Sequence, residues 1–76
     1  MKDLVEFMAK NLVSNPDEVK VEEVESGRQT VIELTVGEGD VGKVIGREGR
    51  TAQSMRTILT AASTKLGRRS HLDIVD

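Results

Sequence analysis

Apolar and polar residues repeat along this chain with two periods, near 3.6 and 2, and the changes of period divide it into elements. Met1, Leu4, Val5, Met8 and Leu12 share one arc at 3.6 residues per turn, with Phe7 at its edge. They predict an amphipathic helix over residues 2–13, with Lys2, Asp3, Glu6 and Lys10 facing away and Phe7, the only aromatic, in the core. Asn15-Pro16 ends it, because a residue before proline avoids the helical region. Val19, Val21 and Val24 among charged residues predict a strand, and the shift from odd to even positions predicts a bulge in it. After the turn Ser26-Gly27-Arg28, the alternation of Thr30, Ile32, Leu34 and Val36 with Glu33 and Thr35 predicts a second strand, antiparallel to the first.

Gly37-Glu38-Gly39 breaks that strand, and Asp40 is placed to N-cap a one-turn helix over Val41–Ile45. A long helix starts near Arg50, with Ala52, Met55, Ile58, Leu59, Ala62 and Leu66 as its apolar stripe and Gly67 as the residue that closes it. Leu72 and Ile74, flanked by His71, Asp73 and Val75, predict a last strand. The order is α-β-β-α-α-β. A connection containing helices lets the third strand lie parallel beside the second, giving a three-stranded mixed sheet with its helices on one face, an α+β layer.

Charge sharpens this picture. Residues 1–40 hold four Lys/Arg and ten Asp/Glu, whereas residues 41–76 hold seven and three, so a net charge of −2 conceals an acidic first half and a basic second half. A polyanion is expected to dock on the second half only. The 76 residues make a single domain, 1–76, and a chain this short buries only ~60% of its unfolded surface. With no cysteine there is no disulfide framework or thiolate metal site, and no apolar run is long enough to span a membrane. A soluble cytoplasmic protein without a cofactor is the expectation.

The chemistry concentrates in Gly42-Lys43-Val44-Ile45-Gly46-Arg47-Glu48-Gly49-Arg50-Thr51. Gly46 and Gly49, three apart between two helices, permit a turn that exposes backbone N–H groups at a helix N-terminus, a setting suited to phosphate. Lys43, Arg47 and Arg50 add three cations. Two overlapping glycine patterns are decoys. Gly37 to Gly42 fits GxGxxG, but no strand-borne acid follows about 20 residues on, where Ala61-Ala62-Ser63 lies in a helix. Gly37 to Lys43 fits GxxxxGK, but Val44 stands where a hydroxyl must hold Mg²⁺.

With these residues and this element order, the chain resembles a KH domain of the bacterial α-β-β-α-α-β type (type II), and in length and motif the small stand-alone KH proteins of the KhpA family. The resemblance implies that Gly46, Arg47, Glu48 and Gly49 clamp a nucleic-acid backbone and that Val44 and Ile45 floor an apolar groove receiving bases. The family often has a large aliphatic where Ala52 stands, and a basic or neutral residue where Glu48 stands. It further implies single-stranded RNA as ligand, self-association, a second KH protein of the Jag (KhpB) kind as partner, and RNA regulation linked to cell elongation or division. The physics agrees on one point. A chain with one Phe and no Trp or Tyr cannot build the stacking platforms of other single-strand binders, whereas KH modules clamp about four nucleotides by backbone contact.

Other candidates are thin. His71, alone of its kind, reads as a sheet position, and Glu22-Glu23-Glu25 as a solvated strand face. Arg68-Arg69 either widens the basic surface or favours a helix C-terminus. Ala61-Ala62-Ser63 permits close packing against the sheet or a partner. No nucleophile–base pair is evident, so no enzyme is expected. Val24, Val31 and Val75 fall out of phase with the core and are expected on the uncovered sheet face, available for pairing. The competing class is a protein-interaction module in which the GxxG turn is structural only.

Overall fold

The structure, a computed structural model, describes residues 1–75; Asp76, counted in the expected 1–76 domain, lies outside the described residues. Helix α1 spans Lys2–Leu12, β1 Lys20–Ser26, β2 Gln29–Thr35, α2 Val41–Ile45, α3 Arg50–Lys65 and β3 Arg69–Val75, with single 3-10 turns at Pro16–Glu18 and Arg47–Gly49. The sheet order is β1-β2-β3, with β1 antiparallel and β3 parallel to β2. The element order and mixed sheet are those the sequence pattern predicts.

The core lies between the sheet and the helices. Val21, Ile32, Leu34 and Leu72 come from the strands, Val5 and Ala9 from α1, Val44 from α2, and Met55 and Leu59 from α3. The opposite sheet face is uncovered. Register places Val24, Val31 and His71 in one row across it and Glu22, Glu33 and Asp73 in the next. The valines are therefore where the alternation puts them, but β1 pairs with β2 residue for residue. The expected bulge is absent. Val24 breaks the phase of the first strand because it belongs to the open face, not because the strand bends.

The helical stripes also differ from expectation, for a geometric reason. On α1 the packed line is Val5 and Ala9. At ~100° per residue Phe7 lies opposite that line, and it is 67% exposed rather than in the core. On α3 the packed line is Ala52, Met55, Leu59 and Ser63, leaving Ile58 and Leu66 exposed and Ala62 half-buried. Ser63 enters the core because its hydroxyl donates to Ser70 Oγ at 2.7 Å, satisfying its polar atom. The end of α3 follows the expected glycine logic. Gly67, at φ 72, donates to Thr64 O, while Arg68 N donates to Ser63 O at 2.8 Å, a Schellman closure. No helix among the described residues is long and apolar enough to cross a membrane.

Candidate nucleic-acid interface

Helix α2 stops at Gly46, whose N–H still donates to Gly42 O at 2.8 Å while its own φ of 77 turns the chain out of the helix. Gly49 N donates to Gly46 O at 3.1 Å and Arg50 N to Arg47 O, closing the GxxG turn. Glu48 (φ 56, ψ 25) and Gly49 (φ 74, ψ 11) are consecutive left-handed residues. Glu48 is the one non-glycine at positive φ among the described residues, a conformation costing roughly 1–2 kcal/mol for an L-residue. Strain of this kind persists where the surroundings over-determine it, and it collects at ligand clamps.

Gly46 is fixed by more than its φ. A Cβ there would collide with the Thr51 hydroxyl and approach Thr51 Cβ at 2.7 Å and its backbone N at 2.9 Å. The first turn of α3 thus packs directly on the backbone at Gly46, setting the helix N-terminus against the loop. Among the described residues no side chain caps that N-terminus. Among the described residues the Arg47 and Glu48 amides enter none of the turn and cap bonds, so the 16-residue α3 presents the positive end of its dipole beside them.

The three cations are not equivalent. Arg47 is exposed and enters no ion pair among the described residues. Arg50 meets Glu48 at 3.5 Å, with both side chains well exposed, so water screens the pair. Lys43 is already engaged: its ammonium donates to Ser14 Oγ at 2.6 Å and to Asp40 Oδ1 at 3.2 Å. Of the two aliphatics, Ile45 is half-buried, whereas Val44 is wholly buried in the core and supports the loop from below. Gly42 is exposed on α2. Arg68 and Arg69 follow the far end of α3, ~24 Å along the helix from the loop, and Arg68 pairs with Glu25 at 3.7 Å. They do not widen the loop's basic surface.

Asp40 does something other than cap α2. It holds the N-cap position but makes no side-chain cap bond. Its carboxylate instead accepts from the amides of Ser14 at 3.1 Å and Asn15 at 3.0 Å, and from the Asn15 side-chain amide at 3.5 Å. It is almost fully buried, and it ties the end of α1 to the start of the helix that carries the loop. The Ser14 amide holds the carboxyl below its ordinary range against the opposing cost of burial, with Asn15 and Lys43 adding to the lowering. A carboxyl lowered in the folded state stabilises fully above its unfolded pKa of ~3.9 and loses that contribution as pH falls through the lower folded value. Asp40→Asn is therefore expected to lower the melting temperature at neutral pH and to flatten the acid limb below about pH 4. Thermal melts from pH 7 downward check this; equal acid limbs in both proteins would remove the assignment.

The sequence pattern missed one surface. Phe7, Met8 and Leu12 of α1 and Met55 and Ile58 of α3 line an apolar groove of about 290 Å³ between the two helices. The available signal was the charge pattern of α3, in which Arg56 is the only charged residue between Thr51 and Thr64.

A GxxG turn joining two helices, on an α-β-β-α-α-β layer with a mixed three-stranded sheet, is a KH-domain architecture. The chain belongs to the family described as KhpA/KhpB, KH domain, whose model matches residues 2–74. It is 50% identical over its full length to the RNA-binding protein KhpA of Aquifex aeolicus, covering 96% of that protein. It is 51% identical to the RNA-binding protein KhpA of Halalkalibacterium halodurans, covering both chains completely. Among solved structures it is similar to Aquifex aeolicus Era bound to GDP.AlF4-, with a TM-score of 0.65 at 21% identity. It is also similar to Era in complex with MgGDPNP and nucleotides 1506–1542 of 16S ribosomal RNA, with a TM-score of 0.59 at 22% identity. In both cases 96% of this chain matches 28% of the Era chain, a likeness of fold.

Proposed function

We propose that this protein binds single-stranded RNA at the Gly46–Gly49 loop, as a binding protein and not an enzyme. The observation that carries the proposal is the uncapped N-terminus of α3 behind a left-handed turn, with Arg47 unpaired beside it among the described residues. A phosphate meets free amides, the helix dipole and a cation in one place. Gly42, Lys43, Ile45, Glu48 and Arg50 surround that contact, and Val44 holds it from beneath. The names of the KhpA relatives favour RNA as the polyanion. The acidic row Glu22–Glu33–Asp73 on the open sheet face disfavours any nucleic acid there.

Within this reading the protein acts in the cytoplasm as an RNA chaperone or post-transcriptional regulator. It pairs with itself or with a second KH protein of the KhpB kind, in processes linked to cell elongation or division. The exposed apolar side chains of Phe7, Leu12 and Ile58 on the helices, and of Val24 and Val75 on the sheet, support pairing. Sedimentation equilibrium beside the RNA titration reports it.

Fluorescence titration of a short single-stranded RNA across salt tests the proposal. Two phosphate contacts, from Arg47 and Arg50, give a log–log slope of about −1.4 at −0.7 per contact, Lys43 being held by Ser14 and Asp40. A slope of −6 or steeper means a much larger basic surface. Absence of binding by the folded protein leaves the GxxG turn as a structural element of a protein-interaction module.

A further inference from the structure

Helices α1, α2 and α3 bury their side chains against one side of the sheet, and the residues pointing the other way stay accessible. Strand register orders that open side into rows. Glu22, Glu33 and Asp73 lie side by side across β1, β2 and β3, and Val24 and Val31 lie side by side in the next row. Neighbouring strands are ~4.8 Å apart and successive rows on one face ~7 Å apart, so three carboxylates share a line ~10 Å long with an aliphatic line beside it. Both lines are reachable. Glu22 and Asp73 are exposed, Val24 is 45% exposed, and Glu33 and Val31 are half-buried.

The carboxylates of this row have no counter-charge. Glu6, Glu25, Asp40 and Glu48 each meet a cation of the same chain, whereas Glu22, Glu33 and Asp73 enter no ion pair among the described residues. Lys20 and Arg69 stand toward the two ends of the open side, and neither pairs with the row. Like charges directly opposite one another in a sheet are destabilising, and here Glu22 faces Glu33 and Glu33 faces Asp73. A cationic surface laid on the row removes that repulsion. Nucleic acid is turned away by it, and a second copy set two-fold on this face would bring the row against itself. The charge therefore selects a different, cationic chain.

We propose that the open sheet face docks a cationic amphipathic helix of another protein, its lysines or arginines on the Glu22–Glu33–Asp73 row and its aliphatic side chains on Val24 and Val31. A helix ~10 Å across covers both rows, and cations at i, i+4 and i+7 rise ~10 Å, the length of the carboxylate line. Charge sets the position of the helix across the strands, and the valine line adds buried apolar area beside it. The sheet then becomes the middle of three layers, with helices on both faces. The face points away from the helices that carry the GxxG turn, so this inference stands independently of the RNA-binding reading.

The probe is a synthetic helical peptide with lysines at i, i+4, i+7 and i+11, leucines on the adjoining stripe and alanines elsewhere, beside a peptide of the same composition in scrambled order. Amide chemical shifts of the full chain are followed as each is added. The patterned peptide is expected to move Glu22, Val24, Val31, Glu33 and Asp73 most, and to bind roughly tenfold more tightly than the scrambled one. Glu22→Gln combined with Glu33→Gln and Asp73→Asn is expected to weaken it roughly tenfold and to raise the melting temperature of the free protein at low salt. Asp3→Asn combined with Asp17→Asn and Glu38→Gln removes three charges elsewhere and is expected to change peptide affinity by less than about twofold. No binding of the patterned peptide, equal binding of the two peptides, or equal losses in the two triple variants overturns the proposal. So do shift changes centred on Phe7, Leu12 and Ile58, which would place the peptide in the helical groove instead.

Discussion

Arg47→Asp combined with Glu48→Asp is expected to weaken binding of short single-stranded RNA by at least ~10-fold, about 1.4 kcal/mol, while the fold persists. The double change keeps Gly46 and Gly49, and therefore both the exit from α2 and the close approach of Thr51. It removes Arg47, which enters no ion pair among the described residues, and sets two carboxylates beside the amides of α3, where a phosphate would otherwise sit. Position 48 is left-handed, and aspartate tolerates that region better than glutamate does, so the backbone gains no strain. Exposed substitutions of this kind shift stability by under ~0.5 kcal/mol. Circular dichroism and melting curves should therefore match the parent, and Glu22→Lys on the distant β1 should hardly alter site-specific RNA binding.

The second large effect is steric. Gly46→Ala is expected to destabilise the domain by at least ~2 kcal/mol, because a positive φ and a collision with backbone and side chain of Thr51 act together. In a domain of this size that lowers Tm by roughly 8–16 °C. Gly49→Ala meets open space and carries only the left-handed penalty of roughly 1–2 kcal/mol. Gly42→Ala, inside α2 and also facing open space, is expected to be neutral or to stabilise by up to ~1 kcal/mol. Melts of the three variants check this order. Gly46→Ala as stable as Gly42→Ala would mean that α3 does not pack against the loop.

The elements were legible because each carries its own period, and the loop was legible because its glycines stand at the junction of two helical patterns. What the pattern could not supply is which side of each stripe meets the sheet. Phe7 and Ile58 lie beside apolar neighbours on a helical wheel, yet a three-stranded sheet is too narrow to cover more than the lines through Val5–Ala9 and Ala52–Ser63. Val24 read as a bulge because a strand with one open face admits an aliphatic on either side. Asp40 read as a cap because its position is a cap position; its actual donors, Ser14 and Asn15, lie 26 and 25 residues away in sequence, beyond any local rule. The same contact network takes up Lys43, which a count of charges treats as free.

Backbone amide chemical shifts, recorded as a short single-stranded RNA is added, test the central claim most directly. The account predicts that the largest changes fall on Gly46 to Ala52, with the open face at Glu22, Glu33 and Asp73 unmoved. Changes centred on that sheet face, or on Phe7, Leu12 and Ile58 with the loop silent, would contradict it.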